Sequence, residues 1–155
     1  MKLKQLESAL SAVQPFREPK IELEQYPTSA HLAARLLYAA EASFGDIEGR
    51  AVLDLGCGTG MLAMGAEMLG SAYTLGADID PDALAIAREN NDELEACADF
   101  IRGNVLCEEG LPLPPASFDT VLMNPPFGTR SKGADVGFLE AGLRFSRNAV
   151  YSLHK

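Results

Sequence analysis

At 155 residues, with 47% hydrophobic and 23% charged side chains, the chain is the size of a single domain with enough apolar material for a core. A net charge of −9 argues against a general nucleic-acid binder that gains its affinity from Lys and Arg on phosphates. No apolar run approaches the roughly 20 residues that span a bilayer, so no membrane association is expected, and Met1-Lys2-Leu3-Lys4-Gln5 lacks the apolar stretch of a signal peptide.

Leu3, Leu6, Ala9, Leu10 and Val13 recur at helical spacing and predict a helix over Lys2 to Val13, broken by Pro15 and Pro19. Glu22 to Pro27 reads as extended, because the residue before a proline is pushed out of the helical region. Thr28 and Ser29 are both candidate N-caps for a helix from Ala30 to about Ser43. Ala51 to Leu55 is a short buried strand. A glycine-rich turn and a helix from Met61 to Leu69 follow, and Gly70 stops that helix. Tyr73 to Asp78 is a second strand, and Asp80-Pro81 opens another helix with proline at its first position. Phe100 to Val105, Asp119 to Met123 and Ala149 to Leu153 read as the remaining strands, with a helix from Gly137 to Ser146 before the last. Strands alternating with helices predict an α/β domain, a mainly parallel sheet with helices on both faces, occupying 1–155 as one unit. Cys57, Cys97 and Cys107 are odd in number and widely spaced. They form neither a zinc pattern nor a disulfide framework, and read as reduced thiols of an intracellular protein with no metal site.

Two strand ends carry chemistry. Asp54-Leu55-Gly56-Cys57-Gly58-Thr59-Gly60 links a strand to a helix at the edge where open parallel sheets bind ligands. It is not a dinucleotide fingerprint, whose third glycine would fall at Met61, nor a P-loop, which needs Gly-Lys-Ser/Thr. Asn124-Pro125-Pro126-Phe127 ends the fourth strand. Asn124 offers an amide oxygen and an NH₂, Pro125 a carbonyl without a local N–H, and Phe127 a flat face. Two acceptors beside a ring suit an exocyclic amino group on a planar ring, although Asn-Pro-Pro is also an ordinary turn.

Asp-x-Gly-x-Gly-x-Gly resembles motif I of class I S-adenosylmethionine methyltransferases, which have a Rossmann-like fold. The resemblance implies that the glycine loop passes under the donor's amino-acid part and ribose, with Asp78 taking the ribose hydroxyls and Asp80 the competing candidate. Asn124 to Phe127 resembles motif IV of enzymes that methylate an amino or amide nitrogen: adenine-N6, guanine-N2 or protein glutamine-N5. Leu23 to Thr28, Asn124 to Thr129 and Ala149 to Lys155 together look like the methyltransferase-like-five family, adenine-N6 methyltransferases of small-subunit ribosomal RNA. That resemblance implies a lid before the first core helix, with Gln25 and Thr28 touching the donor alongside Asp54, Gly56, Gly58, Thr59, Gly60, Met61 and Asp78. Asn104 and Val105 stand at the third-strand end where an Asp often contacts adenine. Asn124, Pro125, Pro126 and Phe127 would act on the acceptor base.

The resemblance further implies a ribosomal RNA substrate, a nuclear, nucleolar and cytoplasmic location, and a small zinc-containing activator protein that adds its edge strand along 99–105. A glutamine-N5 methyltransferase, or a short form that binds donor or partner without turnover, are the alternatives. The fold normally adds a sixth and a seventh strand after the fifth, and these are expected to be missing. From Arg130 onward, Arg130, Lys132, Arg144, Arg147 and Lys155 against Asp135 and Glu140 give a net +3, either an RNA-facing surface or a solvated one. Tyr38 and Tyr73 read as packing residues, and His31 and His154 as surface or packing residues.

Overall fold

Apolar strands of five and six residues cannot bury both faces unless helices cover each side, and the chain solves this with one five-stranded sheet. The computed structural model describes residues 1–154; Lys155, counted above in the basic run, lies outside them. In chain order the elements are α1 (Leu3–Leu10), a 3₁₀ turn (Ile21–Leu23), α2 (Ala30–Phe44), β1 (Ala51–Leu55), α3 (Met61–Met68), β2 (Tyr73–Asp78), α4 (Pro81–Glu93), β3 (Asp99–Arg102), β4 (Phe118–Met123), α5 (Ala134–Phe145) and β5 (Ser146–Ser152). The sheet order is β3-β2-β1-β4-β5, and every pairing is parallel.

Alternation along the strands divides the core. Val52 and Leu122 join Leu6, Leu10, Leu37 and Met64 from α1, α2 and α3 on one face. Leu53, Leu55, Val121 and Met123 join Phe138, Ala141 and Phe145 of α5 on the other. Gly65 lets α3 approach α2 closely: a Cβ there would sit 2.1 Å from Leu37 Cδ1. Among the described residues no helix is long and apolar enough to cross a membrane.

Several boundaries differ from the sequence reading. The segment 22–27 forms no strand. It leaves the 3₁₀ turn through Glu24 in the left-handed region at φ 50°, and Tyr26 N–H bonds back to the Glu24 carbonyl at 2.9 Å. β3 stops at Arg102 because β2, its neighbour, ends at Asp78, which pairs with Arg102. α5 begins three residues before Gly137, behind Gly133 at φ 80°. Tyr38 and Tyr73 are exposed rather than packed inside, at 37% and 41%, although the Tyr73 hydroxyl donates to Asp99 and its ring stacks on Phe118. His31 lies beside Glu7, and His154 beside the Ser152 hydroxyl.

The register places the chemistry. Leu55 of β1 lies level with Ala77 of β2 and Met123 of β4. The glycine loop, Asp78 and Asn124 therefore leave the sheet side by side. They do so where the strand order turns from descending to ascending, the crevice in which open α/β sheets hold ligands.

Candidate active site

The glycine loop is held from below and flanked by rings. Asp54 lies on the face of the sheet that α3 covers, is 1% exposed, and accepts from the Ala63 N–H in the first turn of α3 at 3.0 Å. Gly56 and Gly58 both have positive φ, +67° and +54°. A Cβ on Gly56 would lie 2.9 Å from Phe138 Cε1, and one on Gly58 would lie 2.8 Å from Phe16 Cζ. Glycine is required at both places twice over, by backbone conformation and by an aromatic edge. Asp78 clasps the loop from β2: Oδ2 accepts from Gly58 N–H at 2.8 Å and Oδ1 from Asp80 N–H at 2.9 Å. Asp80 caps α4 by accepting from Asp82 N–H at 3.0 Å, as a helix start should.

Beside this loop opens a cavity of ≈ 380 Å³. Of the residues singled out in the sequence, Gln25, Thr28, Gly56, Gly58, Thr59, Met61, Asp78, Asn104, Val105, Asn124 and Pro126 line it together. Asp54, Gly60, Pro125 and Phe127 do not. Asp54 and Gly60 are buried behind the loop, Pro125 is buried under the turn, and Phe127 is half-buried outside the lining. Asp54 thus supports the loop and does not reach into the cavity. Asn104 lies beyond β3 rather than at its end, and its Oδ1 accepts from Leu106 N–H at 3.0 Å.

Residues 20–28 form a strap along the cavity. Lys20 Nζ reaches Asp80 at 2.7 Å and Asp82 at 2.9 Å. Gln25 donates to Asp80 Oδ2 at 2.7 Å and accepts from Lys20 N–H at 2.9 Å. Its amide thus fastens the strap while the side chain also lines the cavity. Ser29, not Thr28, caps α2, accepting from Leu32 N–H at 3.1 Å. The Thr28 hydroxyl is thereby released, and it accepts from the Asn124 NH₂ at 2.8 Å. Sequence reasoning missed Phe16, Glu24, Tyr26, Ile79 and Phe138, which also line the cavity. Phe16 sits between two prolines in a stretch read only as a helix breaker, and no periodic signal marks it.

Burial governs the acids. It pushes the Asp54 carboxyl up to about 7, against the lowering effect of the Ala63 N–H and with a further push from Asp78. Burial also raises Asp78 and, further, the Cys57 thiol. Burial works against ionisation of Asp80, but Lys20 and Gln25 hold its carboxyl below the usual range. An acid raised on folding contributes stability below its unfolded value and loses it as pH rises through the folded one. A move from 3.8 to about 7 corresponds to roughly 4 kcal/mol lost between about pH 4 and pH 8. Asp54→Asn keeps an acceptor for Ala63 and removes the titration. Its melting temperature is expected to exceed wild type at pH 8 by several degrees, and the gap should close as pH falls below about 4. Parallel pH profiles for the two proteins in thermal unfolding would contradict this.

A family model described as a methyltransferase domain matches residues 52–141. The rRNA N(6)-adenosine-methyltransferase METTL5 of Danio rerio is 49% identical over 100% of this chain and 75% of its own length. The Drosophila melanogaster protein of the same description is 48% identical over 100% of this chain and 73% of its own length. The chain belongs to the methyltransferase-like-five family. A similar fold is seen in the crystal structure of PH1948 from Pyrococcus horikoshii, with TM-score 0.86 and 38% identity over 99% of this chain and 73% of that one. A Rossmann-like methyltransferase fold and family membership, both expected from the sequence, are therefore established. Among the described residues no group of three or more His, Cys, Asp or Glu side chains could hold a metal ion.

Proposed function

We propose that this chain transfers a methyl group from S-adenosylmethionine to N6 of an adenine in small-subunit ribosomal RNA. The observation that carries the reading is Asn124, on the rim of the cavity that the glycine loop and Asp78 also line. Its NH₂ is fixed by Thr28, and among the described residues its amide oxygen has no partner. The cavity suits the donor: Gly56 and Gly58 bring bare backbone to its wall, and each Asp78 oxygen keeps a lone pair after accepting one N–H. Whole-chain similarity to two proteins named as rRNA adenosine N6-methyltransferases supports the acceptor.

When bound, the donor supplies an electrophilic methyl group on a sulfonium. Asp78 would accept from the ribose hydroxyls, while the Lys20–Asp80–Gln25 contacts keep the strap in place. The N6 lone pair of adenine is delocalised into the ring and is a weak nucleophile. The Asn124 oxygen would accept one N6–H, aim the lone pair and stabilise the positive charge that develops on nitrogen; the Pro125 carbonyl, the second acceptor expected from the sequence, belongs to a buried residue outside the cavity lining. Phe127 stacks on the extruded base, a contact worth roughly 1–3 kcal/mol in comparable sites. No general base is needed, because the proton leaves readily after methylation. Most of the acceleration is positioning.

β3 is an edge of the sheet among the described residues, and its outer side suits strand addition by the zinc-containing activator protein. The test is incubation with deuterated S-adenosylmethionine, activator protein and unmodified ribosomal RNA, followed by mass spectrometry of the digested nucleosides. Deuterated N6-methyladenosine is expected. Label on a peptide glutamine and none on RNA, or donor binding with no product, would overturn the reading.

A further inference from the structure

Glu24 carries two costs in one residue. Its backbone is left-handed at φ 50°, which costs a side chain bearing a Cβ roughly 1–2 kcal/mol, and its carboxylate is buried, with the residue 7% exposed. Backbone strain combined with a buried charge is kept where the surroundings enforce it, and such sites concentrate at functional positions. Among the described residues Glu24 forms no ion pair. Its Oε1 instead accepts from the Thr129 hydroxyl at 2.6 Å, and its Oε2 from the Arg130 N–H at 3.5 Å. Burial works against the charge, and the Thr129 hydroxyl together with the backbone N–H groups of residues 128–130 hold the carboxyl below its ordinary range.

The partners decide what this arrangement is for. They lie immediately after Asn124-Pro125-Pro126-Phe127, where Gly128 at φ +82° turns the chain back. The neighbours of Glu24 along the strap fasten elsewhere: Lys20 and Gln25 to Asp80, and Thr28 to Asn124. One short segment therefore holds Asp80 behind the donor side, Asn124 at the transfer point and the loop beyond it on the acceptor side. Arg130 and Lys132, exposed cations, sit on that loop. We propose that Glu24 is a positioning residue that ties the acceptor-side loop, residues 128–130, to the strap over the donor cavity, so that holding the donor orders the surface that receives the nucleic acid. The inference rests on the donor and acceptor assignment above and adds the physical link between the two halves of the site.

The test uses the full chain and S-adenosylhomocysteine, an unreactive donor analogue, with limited trypsin cleavage at Arg130 and Lys132. In wild type the analogue is expected to slow cleavage at these residues by at least about fivefold, the lower end of ordinary coupling between sites. In Glu24→Ala the protection should disappear, and in Thr129→Val, which lies outside the cavity lining, the analogue's Kd in calorimetry should stay within about fivefold of wild type. Glu24→Gln, which keeps an acceptor for the Thr129 hydroxyl, should retain most of the protection. Thr129→Val, an exposed position, should reproduce the loss, and the double variant should lose nothing more. Thr129→Val alone decides the matter if Glu24→Ala does not fold. Full analogue-dependent protection in Thr129→Val would overturn the proposal, as would analogue binding lost in step with protection. Wild type that binds the analogue without protection sinks only the Glu24 link, whereas wild type that does not bind it sinks the donor assignment as well.

Discussion

Asn124→Ala is expected to lower methyl transfer by at least about 100-fold, in line with losing one preorganised group that stabilises developing charge. Donor affinity should change little. Asn124 reaches the strap through its NH₂ and Thr28, and the donor-side contacts of Lys20, Gln25 and Asp78 do not pass through it. Thr28→Val supplies the internal control. It leaves the amide oxygen in place but frees the amide to rotate, so transfer should fall by a smaller factor, roughly 10-fold, about 1.4 kcal/mol. Methyl-transfer kinetics and calorimetry on the same preparations separate the two effects. Equal losses of binding and transfer in Asn124→Ala would place Asn124 in the donor site and remove it from the chemistry.

The second large effect belongs to Asp78. Asp78→Ala removes the acceptor of Gly58 N–H and Asp80 N–H together with the acceptor proposed for the ribose. Hydrogen bonds to a charged group are worth about 1.5–3 kcal/mol each, so donor affinity should fall by roughly 100-fold or more, and transfer with it. Asp78→Asn should fare little better, because its NH₂ must face one of two N–H donors. Asp80 is the informative contrast. It lies 3% exposed under the strap, held by Lys20 and Gln25 and capping α4, and Asp80→Ala should weaken the donor site less than Asp78→Ala while loosening the strap. Titration calorimetry of the two alanine variants ranks them, and the reverse order would restore Asp80 as the ribose acceptor.

The strands and the helices behind them were legible because short continuous apolar runs, glycine stops and the Asp80-Pro81 start are local signals. The boundaries that moved, at β3 and α5, depend on where a neighbouring strand ends and on Gly133, and neither is visible in local periodicity. The site was legible in its residue types at strand ends. The roles within it were less so. Thr28 and Ser29 are equivalent caps on paper, and only the fold gives the cap to Ser29 and the Thr28 hydroxyl to Asn124. Gln25 carries a free amide in the sequence, and in the structure it bonds to Asp80 and the Lys20 N–H. Phe16 has no motif at all, and is identified only by its ring against Gly58.

By itself the sequence determined the α/β class, the glycine loop with its acidic partner, and the turn with two acceptors, because each depends on residue type and spacing within a few positions. The tertiary structure decided that these meet at one crevice, that Asp54 stays behind the loop, and that Glu24 joins the strap to the acceptor-side loop. Those contacts link residues about a hundred positions apart. Their geometry follows from parallel register and sheet order, which no short window of sequence contains.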